Sequence, residues 1–131
     1  MKVLIAEDDM AHLQLLVAMV RSKFKYVNVI EAVNGHQVVE LAKDHSPHLI
    51  LMDIKMPVMD GIEAMKMLKS EQTTSGIPIV AVTGYSTGTN DENMKMFMDK
   101  GFDGYISKPF HVIKLFAEVQ KHLSQKSSYA S

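Results

Sequence analysis

The chain has 131 residues, a formal net charge of −1 and no cysteine. The length suits one ordinary domain, and the lack of cysteine excludes disulfides, thiolate zinc sites and a cysteine nucleophile. The near-neutral charge gives no indication of nucleic-acid binding. Because the apolar run at the N-terminus is too short for a signal peptide or a membrane span, we expect a soluble, cytoplasmic domain without direct contact to membrane or nucleic acid.

Five short apolar runs alternate with five longer segments of helical period. The runs are rich in β-branched and aliphatic residues, as strands are, and the segments between them repeat apolar residues every three or four positions. We predict strands at residues 3–6, 26–32, 49–52, 79–82 and 104–107, and helices at 9–23, from 34, from 60, at 89–101 and at 111–123.

Polar residues mark where these helices begin. Asp9 is predicted to cap the first helix, and three further helices carry a polar residue followed by Gln or Glu three positions later, which is the spacing of a capping box. The pairs are Asn34 with Gln37, Asp60 with Glu63, and Thr89 with Glu92.

The fourth helix is rich in methionine. Its helical period predicts that Met94, Phe97 and Met98 face the core, with Met96 off this stripe and exposed. More generally, most of the eleven methionines are expected to fill the core, because the thioether side chain adapts to irregular gaps.

Apolar strands that alternate with helices are typical of a parallel sheet covered by helices on both faces. Right-handed crossover connections leave few ways to join such elements, and five units are too few for an eight-stranded barrel. We therefore predict an α/β fold, an open doubly wound (βα)5 arrangement with a parallel five-stranded sheet.

Ligands bind beyond the carboxyl ends of the strands in sheets of this kind. Four of the five strands end in a group that can bind phosphate or metal: Glu7 and Asp8 after the first, Asp53 after the third, Thr83 after the fourth and Lys108 after the fifth. A strand order of 2-1-3-4-5 would bring the first and third strands together, so that Asp8, Asp53 and Glu7 share one cleft.

Carboxylates held this close repel one another, by roughly 4 kcal/mol per pair at about 4 Å and an effective dielectric near 20. Such a cluster takes up protons or recruits a cation. Mg²⁺ prefers oxygen ligands and accepts a phosphate oxygen beside its waters, and Mn²⁺ is a second candidate.

This set of groups predicts phosphoryl chemistry. Asp53 would be the nucleophile that forms an aspartyl phosphate, Glu7 and Asp8 would hold the metal, and Thr83 and Lys108 would contact phosphoryl oxygens. Each residue alone has an ordinary structural explanation, since an acid after a strand often caps a helix. Their coincidence at four strand ends favours the functional interpretation.

Four motifs, VLIAEDD, LILMDIKMPVMDG, IPIVAVTG and GYISKPF, cover the chain from about residue 2 to about residue 124. In combination they resemble the receiver domain of response regulators in two-component signalling systems. The resemblance implies a flavodoxin-like fold with strand order 2-1-3-4-5 and makes Asp53 the phosphoacceptor. It also implies metal ligation by Glu7, Asp8, Asp53 and the main-chain carbonyl of Lys55.

The same resemblance implies a conformational switch. Thr83 matches the switch hydroxyl, Tyr105 the aromatic switch and Lys108 the active-site lysine, whose bond to Pro109 is expected to be cis. Phosphorylation adds charge and acceptor oxygens, which would draw in Thr83 and Lys108 and let Tyr105 turn from an exposed to a buried position. The surface of the fourth helix, fifth strand and fifth helix would then change, with Met96 contributing to it.

The implied partners are a sensor histidine kinase or a histidine phosphotransfer protein as donor, and a downstream protein or fused output domain as target. No enzymatic activity is expected beyond self-directed phosphotransfer and dephosphorylation, whose rate the family tunes at the positions of Lys55 and Tyr85. The six histidines are expected at the surface or at helix ends. Residues 1–124 would form the receiver domain and residues 125–131 a polar tail or linker.

Two other classes remain open. A Mg²⁺-dependent phosphohydrolase with an aspartyl-phosphate intermediate usually carries a second acid two residues after the nucleophile, where this chain has Lys55. A flavodoxin-like or nucleotide-binding module would carry a glycine-rich phosphate loop, but neither G-x-G-x-x-G nor G-x-x-x-x-G-K-[ST] occurs. Repeated turnover would indicate the first class, and a bound flavin or nucleotide the second.

Overall fold

The computed structural model describes residues 1–84, 89–109 and 111–130, with the side chains of residue 90 and of residues 125–130 excepted. Strands and helices alternate along the chain, as predicted. In chain order they are β1 (Lys2–Ala6), α1 (Met10–Lys23), β2 (Asn28–Ala32), α2 (Gly35–His45), β3 (Leu49–Met52), α3 (Gly61–Ser70), β4 (Ile79–Thr83), α4 (Asn90–Lys100), β5 (Gly104–Ser107) and α5 (Val112–Ala130).

The five strands form one parallel sheet in the order β2-β1-β3-β4-β5, which confirms the predicted topology. The strands are paired so that their carboxyl ends lie at the same edge. Ala6 at the end of β1 pairs with Met52 at the end of β3, and Thr83 at the end of β4 pairs with Ser107 at the end of β5.

Helices cover both faces of this sheet and bury two hydrophobic layers. Residues of α2, α3 and α4 pack on one face, around Leu4, Ile50 and Phe97. Residues of α1 and α5 pack on the other face, around Leu16 and Leu51. Because β3 is covered on both faces, all four of its residues are buried, which explains its continuous apolar sequence.

The helix caps lie where the sequence predicts them. Asp9, Asn34, Asp60 and Thr89 each stand at the N-cap, and each side chain accepts a hydrogen bond from the backbone N–H three residues later. At Thr89 the predicted capping box is complete, because the side chain of Glu92 also accepts from the N–H of Thr89. At the start of α2, the side chain of Gln37 instead accepts from the N–H of Val33. Such caps satisfy donors that the first helical turn leaves unpaired.

Two predicted boundaries are wrong. The second strand begins at Asn28 instead of residue 26, and Tyr26 is exposed before it. The last helix continues to Ala130 instead of ending at residue 123, because residues 111–130 contain no glycine or proline that would stop it. None of the helices among the described residues is long and apolar enough to cross a membrane.

The prediction for α4 is also wrong, because the helix is rotated about its axis. Met94 and Met98 are 37% and 43% exposed, while Met96 packs against the core. Phe97 is buried as predicted, and its ring stacks on that of Tyr105 with centroids 5.1 Å apart. This aromatic contact sets which side of α4 faces the sheet.

Most of the eleven methionines contribute to the core, as predicted. Met52, Met56 and Met65 are buried. Four more are partly buried and pack against the core clusters, namely Met1, Met19, Met59 and Met96. The remaining four, Met10, Met67, Met94 and Met98, are exposed on helices.

One histidine lies neither at the surface nor at a helix end, the positions predicted for the six. His122 is buried on the inner side of α5, and its Nε2 lies 3.6 Å from Oε2 of Glu118. The spacing i, i+4 places both side chains on the same face of the helix. An oxygen of Glu118 lies against Gly104 of β5, where an added Cβ would come within 2.8 Å of it.

Candidate functional site

The carboxyl ends of β1 and β3 place two acids side by side. Glu7 follows β1 and Asp53 follows β3, and the strand ends Ala6 and Met52 are paired. The N–H of Asp53 donates to the Ala6 carbonyl at 3.0 Å, and the N–H of Glu7 donates to the Ala32 carbonyl at 3.1 Å. The backbone hydrogen bonds of the sheet therefore continue one residue beyond β1 and β3. They fix the backbone positions of Glu7 and Asp53.

Asp8 completes a cluster of three carboxylates. Glu7, Asp8 and Asp53 each offer one oxygen, and these oxygens all lie within 4.8 Å of one another. Glu7 and Asp53 are buried, whereas Asp8 is exposed to solvent. Carboxylate oxygens are the donors that Mg²⁺ prefers, and Mg²⁺ sites commonly use only one or two of them together with water. The donor set therefore fits such an ion.

Lys108 enters this cluster from the end of β5. Its Nζ donates to Oε2 of Glu7 and to Oδ2 of Asp53, the latter at 3.2 Å. The backbone N–H of Lys108 donates to the carbonyl of Thr83 at 3.0 Å, and the Lys108–Pro109 peptide bond is cis. The ammonium group therefore lies between two buried acids and offsets part of their repulsion.

Burial and the neighbouring charges shift the pKa values of Glu7 and Lys108. Burial raises the pKa of Glu7 and the charge of Asp53 raises it further, although the hydrogen bond from Lys108 acts in the opposite direction. Burial disfavours the charged form of Lys108, but its hydrogen bond to Glu7 and the charge of Asp53 outweigh this effect and raise the pKa of Lys108. Lys108 is therefore a permanent positive charge at neutral pH.

Glycine lets the loop after β3 fold back on Asp53. The N–H of Gly61 donates to the Ile54 carbonyl at 2.8 Å, and a Cβ at Gly61 would lie 2.4 Å from the Asp53 carbonyl oxygen. A second bond, from the N–H of Gly35 to the Met59 carbonyl at 2.9 Å, fastens the loop to the start of α2. The backbone that carries Asp53 is thus held from both sides.

These groups line one cavity of about 450 Å³, which we call the acidic cleft. It contains each residue that the sequence singled out for phosphoryl or metal binding, namely Glu7, Asp8, Asp53, Lys55, Thr83 and Lys108. Asp9, His12 and Gly84 also line it, and of these His12 was not predicted at the site. Tyr85 lies outside the described residues.

His12 is the lining residue that was not predicted. It lies four positions after Asp8 in the first turn of α1, and its side chain is 56% exposed. The signal was available in the sequence, because a residue one turn after an N-cap at a strand end reaches back toward the same sheet edge.

Tyr105 lies outside the acidic cleft. It is buried, stacks on Phe97 and leaves its hydroxyl without a hydrogen-bond partner among the described residues. The resemblance implied two positions for this ring, exposed and buried, and the structure shows the buried one. The ring joins β5 to α4, so it connects the sheet edge to the helix surface.

Comparison with known proteins identifies the family. The family model for the response regulator receiver domain matches residues 3–120. The polar-differentiation response regulator DivK of Brucella anthropi is 31% identical over 121 residues, which cover 92% of this chain and 94% of DivK. DivK of Brucella ovis matches to the same extent.

Solved structures agree with the sequence comparison. The receiver domain of sensor histidine kinase PA1611 from Pseudomonas aeruginosa, with a magnesium ion coordinated in its active-site cleft, is 28% identical with a TM-score of 0.81 and covers 94% of this chain and 97% of that one. The receiver domain of a Syntrophus aciditrophicus histidine kinase is 26% identical with a TM-score of 0.82 and covers 95% and 90%. These matches do not favour the phosphohydrolase alternative. The chain belongs to the response regulator receiver domain family and is a phosphoaccepting signalling switch.

Proposed function

We propose that Asp53 is the phosphoacceptor of this receiver domain. In the reaction, an oxygen of Asp53 bonds to phosphorus as the phosphorus–nitrogen bond of a phosphohistidine donor breaks. The observation that carries the proposal is the position of the Asp53 carboxylate, which lines the acidic cleft beside two further acids and the Lys108 ammonium. Phosphoryl transfer needs mainly such positioning and charge neutralisation.

Glu7, Asp8, Asp53 and the main-chain carbonyl of Lys55 would hold Mg²⁺, and Mn²⁺ suits the same oxygen donors. The bound ion would neutralise charge on the phosphoryl oxygens. Lys108 would contact another phosphoryl oxygen, which requires it to give up part of its contact with Asp53. The hydroxyl of Thr83, whose residue lines the same cleft, would donate to a third oxygen.

The signal would leave through Tyr105 and α4. We infer that movement of Thr83 toward the phosphoryl group favours the buried position of Tyr105, because the two residues lie on neighbouring strands. The stacked ring of Phe97 would transmit this change to the surface formed by α4, β5 and α5. Met94 and Met98 are the exposed apolar residues that α4 offers to a partner there.

The donor would be a sensor histidine kinase or a histidine phosphotransfer protein, and the receiver of the signal a downstream protein or a fused output domain. The compartment would be the cytoplasm. Activity would be limited to self-directed phosphotransfer and dephosphorylation. The receiver unit would comprise residues 1–124, since Leu123 is the last core residue among those whose side chains the structure describes, and residues 125–131 would extend from it.

Mass spectrometry of the intact protein tests the proposal. After incubation with acetyl phosphate and Mg²⁺, we expect a gain of one phosphoryl group, about 80 Da, and no gain in Asp53→Asn. A matched control is Asp60→Asn, which changes an acid on the same loop that caps α3. An Asp53→Asn protein that still gained the mass would refute the assignment.

A further inference from the structure

His12 lines two neighbouring cavities. On one side its ring lines the acidic cleft with Asp53. On the other side it lines an apolar groove of about 380 Å³, formed with Leu15, Met19 and Pro109. Lys108 also lines both. Water and phosphodonors that enter the acidic cleft from this side pass the imidazole.

A carboxylate lies beside the imidazole. Nδ1 of His12 is 4.0 Å from Oδ1 of Asp9, and the same carboxylate accepts the backbone N–H of His12 at 3.1 Å. The hydrogen bond from the His12 backbone lowers the pKa of Asp9, so the carboxylate is ionised at neutral pH. At 4.0 Å the carboxylate is too far from the ring for a hydrogen bond, but its charge can interact with a proton that the ring takes up.

Several charges face the ring across the acidic cleft. The β1–α1 connection contributes Glu7, Asp8 and Asp9, the loop after β3 contributes Asp53 and Lys55, and the loop after β5 contributes Lys108. Within the described lining, His12 is the one imidazole, and imidazole is the side chain that most often serves as a general base. Its neighbours are acids, cations, a hydroxyl and a glycine.

We propose that His12 activates the water that hydrolyses the aspartyl phosphate, and so sets the lifetime of the signal. This inference depends on the proposed role of Asp53. The water oxygen bonds to phosphorus, the bond between phosphorus and the Asp53 oxygen breaks with its electron pair returning to the carboxylate, and one water proton moves to His12 and then to solvent. The products are inorganic phosphate and the original Asp53 carboxylate.

The lifetime of the phosphorylated protein tests this proposal. The protein is phosphorylated with acetyl phosphate and Mg²⁺, the donor is removed, and the decay of the phosphorylated mass is followed between about pH 5.5 and pH 8, where histidine side chains change charge. We expect His12→Gln to lengthen the lifetime about tenfold near pH 8, below the hundredfold that general bases often contribute, because the ring is exposed. The decay of the wild type should slow as the pH falls, and that of the variant should not.

His36→Gln is the matched control. His36 is 58% exposed in the first turn of α2 and lies 3.1 Å from a carboxylate of Glu40, yet it is outside the lining of the acidic cleft. Its substitution should leave the lifetime unchanged. As a second readout, the ring resonances of His12, but not those of His36, should shift when Mg²⁺ and beryllofluoride are added.

The outcomes separate the two proposals. A wild-type protein that gains no phosphoryl group would overturn both. Normal phosphorylation with the same lifetime and pH profile in His12→Gln as in the wild type would overturn the role of His12 alone. If His12→Gln changed only the rate of phosphoryl transfer from a phosphohistidine protein, the role of His12 in hydrolysis would also be overturned, because His12 would then be a docking residue.

Discussion

The ammonium of Lys108 lies 3.2 Å from the carboxylate of Asp53, although 55 positions separate them in the sequence. The same ammonium contacts Glu7, 101 positions away. These contacts arise because β1, β3 and β5 all end at one edge of a parallel sheet. Lys108 therefore has two roles. Its charge offsets the repulsion between the buried acids, and it is the group proposed to hold a phosphoryl oxygen.

Replacing Lys108 by Met should raise the pKa of Glu7 further. Without the ammonium, Glu7 keeps its burial and the repulsion of Asp53 but loses the hydrogen bond that opposes them. We expect the free energy of unfolding in metal-free buffer to fall by about 1–3 kcal/mol. Carbon-13 NMR of the glutamate carboxyls checks the titration, and urea unfolding checks the stability.

Lys69→Met is the control for this experiment. Lys69 near the end of α3 pairs at 2.9 Å with Asp103, which precedes β5 and also accepts the N–H of Ile79 at the start of β4. The pair therefore lies at the opposite edge of the sheet from the acidic cleft, and its loss should leave the titration of Glu7 unchanged. If Glu7 titrated at the same pH in Lys108→Met as in the wild type, the electrostatic account of the cluster would be wrong.

Gly61→Ala should displace the backbone that carries Asp53. The new Cβ would lie 2.4 Å from the Asp53 carbonyl oxygen and 3.0 Å from Cα of Ile54, so backbone must move. We expect a loss of at least about 2 kcal/mol in unfolding free energy and weaker phosphorylation by acetyl phosphate. Gly76→Ala is the matched control, because a Cβ there meets nothing within 4 Å. Equal stability of the two variants would contradict the steric argument.

Val58→Gly should stabilise the protein. Val58 has φ 70°, a conformation that β-branched residues rarely adopt, and it is 83% exposed at the centre of a turn in which the N–H of Met59 donates to the Pro57 carbonyl at 2.7 Å. Relief of strain exceeds the entropic cost of glycine, which leaves a gain of about 1 kcal/mol. Val58→Ala should gain much less, because alanine has the same backbone preference. Chemical denaturation measures both, and a less stable glycine variant would refute the strain.

Tyr105→Phe should leave stability equal or raise it by up to about 1 kcal/mol, since the hydroxyl it removes is buried without a partner among the described residues. The ring and its stacking on Phe97 remain. Phosphorylation by acetyl phosphate should be unchanged, because Tyr105 does not line the acidic cleft. Thermal unfolding is the measurement, and a clear loss of stability would show that the hydroxyl is bonded in solution.

Stability should depend on Glu118 at acid pH. The contact with His122 lowers the pKa of Glu118 more than burial raises it. In the window between the lowered pKa and the ordinary carboxyl range, the unfolded chain binds the proton and the folded chain does not. The stabilising contribution is therefore complete above that range and is lost as the pH falls through and below it.

Glu118→Gln should consequently flatten the dependence of unfolding free energy on pH below about pH 5. Glu40→Gln is the control, because Glu40 forms the same kind of i, i+4 pair with His36 but at an exposed site. Urea unfolding at several pH values measures both. A slope in Glu118→Gln as steep as in the wild type would show that the pair of Glu118 and His122 contributes nothing to this dependence.

Local patterns in the sequence were sufficient for the element order and the helix caps, whereas the strand order was implied by the resemblance to receiver domains. The cap at Thr89, for example, depends only on two side chains three positions apart. The residues of the candidate site could also be predicted from the sequence, because parallel strands bring their carboxyl ends to one edge of the sheet. The hydrophobic period was less reliable for predicting which face of α4 is buried, because its alternating methionines are compatible with several rotations of the helix. The hydrophobic period of α5 likewise gave no reason to expect a buried His122.

The sequence by itself determined the α/β fold and the set of acids, hydroxyl and lysine at the strand ends, because both depend on local periodicity and on the geometry of parallel sheets. The order of the strands was implied by the resemblance to receiver domains. Only the tertiary structure decided that Phe97 and Tyr105 stack and turn α4, that His122 is buried beside the half-buried Glu118, and that His12 lines the acidic cleft. These features depend on how elements distant in the chain pack against one another, and packing of that kind leaves no periodic signal in the sequence.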